Sequence, residues 1–175
     1  MGEITSGLIF NCSTLLSLIL VFFLFTENVT RLSKASRLRR EFYYGLLLAG
    51  IGVLVMAFPL DFGGGVVFDT RSILIGLGGA FFGWRPATMA ALACAGFRIY
   101  EGGAGTVPGL LVIVIALMLG LLWRHWRGQD LAKATFGELY GLGLIIHLSM
   151  IVVIAASLPG MREAFLKQVA PFVML

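Results

Sequence analysis

The sequence predicts an all-α membrane protein, a compact polytopic bundle of about six helices. Of its 175 residues, 59% are hydrophobic and only 13% are charged, whereas a soluble domain carries roughly 25% charged residues. Its mean hydropathy is +0.97, and several uncharged apolar runs are long enough to cross a hydrocarbon core. The runs lack the alternation of apolar and polar residues that is typical of a transmembrane barrel.

The apolar runs divide the chain into spans. The first span lies within residues 1–27, the second covers 42–60, and two later spans cover 106–123 and 139–158. Residues 1–175 are predicted to form a single transmembrane domain. The closing "PFVML" reads as the start of a further span, so we expect a final helix and a cytoplasmic domain to follow.

Residues 72–97 allow two interpretations, because Arg85 and Pro86 interrupt them. A single helix would bury Arg85 near the middle of the bilayer, beside a proline that removes a backbone hydrogen bond. Two short helices would turn at Arg85 near the cytoplasmic face. An intramembrane arginine without an acidic neighbour in sequence is costly, so we predict a short helical hairpin. A single crossing would place Arg71 and Arg98 on opposite faces of the membrane.

The basic residues orient this arrangement. "TRLSKASRLRRE" and "WRHWRGQDLAK" are connectors rich in lysine and arginine, which are retained on the cytoplasmic side. Together with Arg85 they are predicted to lie inside, while "DFGGGVVFDTR" and "RIYEGGAG" lie outside. The basic residues sit in short connectors without interleaved aromatic residues, so we expect no nucleic-acid partner.

Four charged residues flank the hairpin on its outer side. Asp69 and Arg71 precede it, and Arg98 and Glu101 follow it, so a hairpin brings all four together. Two guanidinium groups suit a small anion, since a guanidinium matches a carboxylate with two parallel hydrogen bonds. Structural salt bridges, Asp69 with Arg98 or Arg71 with Glu101, are the alternative. The two interpretations are compatible.

Two further features are candidates for ligand binding. Gly102, Gly103 and Gly105 form an outer loop before a helix that starts at Thr106, and a helix start presents unpaired amides and a positive dipole end. His147 lies in the middle of the last span, where a polar residue usually faces the bundle interior. It is a ligand contact, a proton-sensitive group or an interhelical hydrogen bond.

Other sequence patterns indicate helix packing and give no sign of catalysis. Small residues four positions apart, Gly76 with Ala80 and Gly79 with Gly83, let membrane helices approach closely. The sequence contains no phosphate-binding loop, no metal-ligand spacing and no nucleophile beside a base. We therefore expect no enzyme activity, metal or cofactor within residues 1–175.

The segment "DTRSILIGLGGAFFGWRPATMAALACAGFRIYEGGAG" resembles the sensor region of LytS-type five-transmembrane receptors, also called 5TMR-LYT. Asp69-Thr70-Arg71 is similar to the family's motif before a glycine-rich helix. Arg98 and the glycines that follow it are similar to a second motif. The polar position in the penultimate span corresponds approximately to His147.

The resemblance implies a sensor domain in a bacterial inner membrane. It would bind a small ligand at the extracytoplasmic face and control a cytoplasmic histidine kinase or diguanylate cyclase. Some family members respond to small carboxylates, which favours an anion at Arg71 and Arg98. We also expect the bilayer as a partner and a homodimer. Polar groups that some members carry in the helix after the glycine loop are missing here.

Two other function classes stay open at this stage. The family is distantly similar to the substrate-binding membrane subunits of vitamin transporters, which would make this chain a solute-binding transport component. A purely structural module, dimerising through its small-residue faces, is the third possibility. It predicts no ligand at the outer site and an unchanged signal in the Arg71→Ala variant.

Overall fold

A computed structural model of the chain describes residues 37–57, 60–61, 67–68, 70–128 and 134–157, together with Leu16. This part contains five helices and one pair of short strands, which are in chain order α1 (Arg37–Ala57), β1 (Leu60–Asp61), β2 (Val67–Phe68), α2 (Arg71–Phe82), α3 (Trp84–Glu101), α4 (Thr106–Arg127) and α5 (Phe136–Ser157). The strands are antiparallel, with Leu60 opposite Phe68. The prediction of an all-α bundle is confirmed. The first predicted span and the chain from residue 158 lie outside the described residues.

Three of the described helices, α1, α4 and α5, are long and apolar enough to cross a membrane. Helix α2 has 12 residues, which at about 1.5 Å per residue cannot cross a hydrocarbon core of roughly 30 Å. Large apolar side chains such as Leu46, Met118 and Val152 are more than half exposed on the helix surfaces. In a bilayer these surfaces face lipid, because lipid tails are as apolar as leucine.

Helices α2 and α3 form the predicted hairpin, but the chain turns at a different residue from the one expected. The turn is Gly83, which has a φ of +88°, a conformation that glycine adopts without steric cost. Arg85 and Pro86 lie in the first turn of α3. A proline is tolerated there because the amides of a first helical turn have no partner within the helix.

Close backbone contact fixes the hairpin against α4. A Cβ atom on Gly120 would collide with the carbonyl group of Gly76, and one on Gly79 would lie 3.3 Å from the backbone nitrogen of Leu121. Among the glycines predicted to mediate packing, Gly76 and Gly79 therefore form the surface of α2 that contacts α4. The core of the described helices is apolar and includes Met56, Ile75, Ile113 and Ile146.

Helix α5 begins with a capping box. The hydroxyl oxygen of Thr135 accepts a hydrogen bond from the amide of Glu138, and the Glu138 carboxylate accepts one from the amide of Thr135. This reciprocal pair satisfies two amides that the helix itself leaves unpaired. The carboxylate also lies 3.2 Å from Nε of Arg127, at the end of α4. The cap thus ties the start of α5 to the end of the preceding helix.

One end of the bundle collects arginines from three parts of the chain. The Glu41 carboxylate accepts hydrogen bonds from Arg37 Nε at 2.9 Å and from Arg85 Nη1 at 2.8 Å. Nearby, Arg124 Nη1 donates to the carbonyls of Ala80 and Phe81 at the end of α2. We call the end that contains Arg37, Arg40, Glu41, Arg85 and Arg124 the basic end. It joins the three segments for which the sequence predicts a cytoplasmic location.

Candidate ligand site

Two buried arginines lie at the end of the hairpin opposite the basic end. Arg71 is the first residue of α2 and is 6% exposed, and Arg98 lies in the last turn of α3 and is 3% exposed. The reversal at Gly83 brings these two helix ends together. A single crossing by residues 72–97 would have separated them, so the hairpin is the condition for a shared site.

Gly109, in the first turn of α4, lies directly against both guanidinium groups. A Cβ atom at this position would lie 3.0 Å from Arg98 Nε and 3.1 Å from Arg71 Nη2. Arg98 Nε and Arg71 Nη2 both lie close to this Cβ position, so their separation cannot exceed the sum of the two distances. The missing side chain of Gly109 therefore provides the space in which the two cations meet.

Arg98 is held by two partners. Its Nε donates to the carbonyl of Gly105 at 3.3 Å, and its Nη1 donates to the Glu101 carboxylate at 3.1 Å. The Arg98 side chain is 4% exposed and that of Glu101 is 26% exposed. This pair differs from both bridges predicted from the sequence, and it forms because residues three apart on a helix are neighbours. Asp69, the remaining charged candidate, lies outside the described residues.

The glycine loop connects α3 to α4 and shapes the site indirectly. Gly102 and Gly103 have φ values of +70° and +85°, which favour glycine. The Gly102 amide donates to the Arg98 carbonyl, and the Thr106 amide and hydroxyl both donate to the Gly103 carbonyl. The Gly102 amide, expected to face a ligand, thus closes α3 instead. Gly105 is buried and contributes its carbonyl to Arg98.

His147 lies in α5 and is half-buried. Its Nδ1 is 2.9 Å from the carbonyl of Gly143, one turn earlier, so the Nδ1–H tautomer donates to that carbonyl. The preceding residue, Ile146, packs against Gly76 of α2. His147 is thus next in sequence to a residue that contacts the middle of α2, whereas Arg71 lies at the start of α2.

Two features, one at this site and one at the basic end, are not predicted from the sequence. Gly109 is not among the residues that the sequence marks as candidate ligand contacts. A glycine inside the first turn of a helix, where the backbone conformation does not require glycine, indicates that another group approaches closely. The bridge from Glu41 to Arg85 joins residues far apart in sequence, and nothing local in the sequence indicates it.

Comparison with known proteins assigns the chain to a family. The family model 5TM-5TMR_LYT, described as "5TMR of 5TMR-LYT", matches residues 22–175, which include all five described helices. No curated protein and no solved structure matched the chain. The predicted resemblance to this family is thereby confirmed. The chain belongs to the 5TM-5TMR_LYT family and is a membrane sensor domain of a signalling receptor, not a catalytic module.

Proposed function

We propose that this sensor domain binds a small carboxylate between Arg71 and Arg98. The observation that carries the proposal is the meeting of two buried guanidinium groups against Gly109. The sequence predicts that this end of the bundle faces the extracytoplasmic side of a bacterial inner membrane. A ligand would then reach the site from outside the cell.

The electrostatics favour an anion. Two cations held close together and away from water repel each other and lose hydration, and both costs fall when an anion binds between them. Glu101 contributes one negative charge on the Arg98 side. A carboxylate can accept two parallel hydrogen bonds from one guanidinium and still face the second. The site is therefore better suited to a small carboxylate than to a cation or an uncharged solute.

The same contacts offer a route for the signal. Arg71 begins α2, Arg98 ends α3, and Gly109 lies in α4, so one ligand would contact the hairpin and the neighbouring span together. It would shift the equilibrium toward the arrangement in which the hairpin and α4 are closer, by as much as its affinities for the two states differ. The later spans would pass the change to a cytoplasmic kinase or diguanylate cyclase, within a homodimer.

The test is thermal unfolding of the purified protein in detergent with a panel of small mono- and dicarboxylates. We expect at least one to raise the melting temperature in a saturable way. Hydrogen bonds to charged groups contribute about 1.5–3 kcal/mol each, so Arg71→Ala and Arg98→Ala should weaken binding by about 10- to 100-fold. Arg98→Lys keeps the charge but loses the paired geometry, and should give an intermediate value.

Arg39→Ala is the matched control. It removes one positive charge from an exposed position in α1, so it should leave carboxylate binding unchanged. The melting temperature of each variant without ligand separates lost binding from lost folding. If the Arg71→Ala variant is folded and binds the carboxylate as tightly as wild type, the ligand site is elsewhere.

A further inference from the structure

Two adjoining cavities open at the basic end, away from the arginine pair at Gly109. Their volumes are about 360 and 470 Å³, within the range of roughly 300–1,000 Å³ of small-molecule sites. They share part of their lining, including Arg37, Glu41 and Arg124. The larger adds Arg40, and the smaller adds Arg85 and the turn at Gly83.

The lining carries a clear excess of positive charge. Among the described residues of the lining, four arginines from α1, α3 and α4 accompany one carboxylate, Glu41. Glu41 accepts from one nitrogen of Arg37 and one of Arg85, whereas each guanidinium has five N–H donors. The Arg37 side chain is 83% exposed and that of Arg85 is 47% exposed. The cavities are therefore open to solvent. Arg37 and Arg85 also keep N–H donors that Glu41 does not use.

The Arg124 side chain is held in place within this lining. Its Nη1 is held by the carbonyls of Ala80 and Phe81, where the negative end of the α2 dipole favours a cation. A guanidinium already held by backbone groups loses little conformational freedom when a ligand arrives. The two carbonyls accept hydrogen bonds from Nη1 and not from Nε or Nη2 of the same guanidinium. One arginine of the four is thus preorganised.

We propose that these cavities bind a phosphate group. Arginine is the side chain best matched to phosphate oxygens, through paired and strongly polarised hydrogen bonds, and basic pockets between helices at the membrane surface suit anionic headgroups. Trp84 is 63% exposed beside the cavity, with the Arg85 guanidinium 5.1 Å from its ring centre. An exposed tryptophan at a helix end is typical of the headgroup level. The phosphate belongs to an anionic lipid or to a soluble molecule.

The experiment compares two probes on the full chain. Delipidated protein in detergent is titrated with inorganic phosphate, and protein in nanodiscs of phosphatidylcholine is compared with protein in nanodiscs that also contain phosphatidate. Thermal unfolding is the readout. A saturable rise in melting temperature with inorganic phosphate and none with phosphatidate identifies a soluble phosphate group, whereas a rise with phosphatidate identifies a lipid headgroup. Either result supports the site, and no saturable response to either probe overturns it.

Neighbouring arginines of one helical turn supply the matched variants. Arg37, Arg39 and Arg40 are all exposed in the first turn of α1, but the cavities are lined by Arg37 and Arg40 and not by Arg39. We expect Arg37→Gln and Arg40→Gln to weaken binding of the effective probe by about three- to tenfold. Arg39→Gln should bind as wild type does. Equal losses in all three variants would indicate a diffuse charge effect and overturn the proposal.

Glu41→Gln distinguishes a binding site from a general loss of folding. Glu41 competes with an incoming anion for Arg37 and Arg85. Its neutralisation should therefore tighten binding of the effective probe by about three- to tenfold, which an unfolded protein cannot reproduce. Weaker binding in a folded Glu41→Gln variant would contradict the proposed role of the arginines. The two proposed sites are separate, because this one lies at the opposite end of the hairpin from Arg71 and Arg98.

Discussion

Arg71 and Arg98 meet against Gly109, although they belong to different helices and each is almost completely buried. This relationship depends on the reversal at Gly83, because only a hairpin returns the end of α3 to the start of α2. It also depends on Gly109, since a side chain there would occupy the position next to both guanidinium groups. Chain reversal and a missing side chain together create the proposed carboxylate site.

The hairpin makes a direct prediction about membrane sidedness. In a background without the native cysteines, Thr70→Cys and Ala104→Cys should react with an impermeant maleimide from one side of the membrane. Arg85→Cys and His125→Cys should react only from the other side, because Arg85 lies in the first turn of α3 and His125 lies in the last turn of α4. Labelling in spheroplasts and in inverted vesicles measures which side each cysteine faces. An Ala104→Cys variant that labels from the same side as Arg85→Cys would contradict the hairpin.

Gly109→Ala tests whether the space beside the two arginines is needed for the ligand. The new methyl group would lie 3.0 Å from Arg98 Nε and 3.1 Å from Arg71 Nη2, closer than ordinary van der Waals contact. We expect carboxylate binding to weaken by about tenfold as the guanidinium groups are displaced. Titration of the wild-type and variant proteins with the same carboxylate measures the change.

Gly96→Ala is the control for that substitution. It lies in α3, and a Cβ atom there meets nothing within 4 Å. Alanine in a helix interior is favoured over glycine by about 0.5–1 kcal/mol, so this variant should be at least as stable as wild type and should bind normally. Tight carboxylate binding by a folded Gly109→Ala variant would show that the ligand does not need this space.

The sequence was sufficient to predict the fold class and the hairpin, because the apolar runs and the cost of a buried Arg85 are local properties. The position of the turn was predicted incorrectly. Arg85-Pro86 was the more conspicuous interruption, but Gly83 alone supplies the positive φ that the reversal uses. The partner of Glu41 and the position of Gly109 depend on how helices pack against one another, which a single sequence does not specify.

The glycine contact between α2 and α4 predicts a large loss of stability in Gly120→Ala. Its Cβ atom would meet the Gly76 backbone, which cannot move aside as a flexible side chain can. Overpacking a core typically costs about 1–3 kcal/mol, and we expect a value in the upper part of that range. Thermal unfolding in detergent measures the loss, with Gly50→Ala in α1 as the control, because a Cβ at Gly50 meets nothing within 4 Å. Equal melting temperatures for the two variants would contradict the close contact.

Arg124→Ala should destabilise the hairpin from the basic end. Arg124 Nη1 donates to the carbonyls of Ala80 at 3.0 Å and Phe81 at 2.8 Å, two acceptors that the end of α2 cannot satisfy within its own helix. Hydrogen bonds that involve a charged group contribute about 1.5–3 kcal/mol, so we expect a loss of about 2 kcal/mol in the free energy of unfolding. Arg39→Ala, an exposed arginine of α1, controls for the change in net charge and should unfold as wild type does. Because Arg124 contacts the end of α2 and not its beginning, carboxylate binding to the folded Arg124→Ala variant should stay within about twofold of wild type.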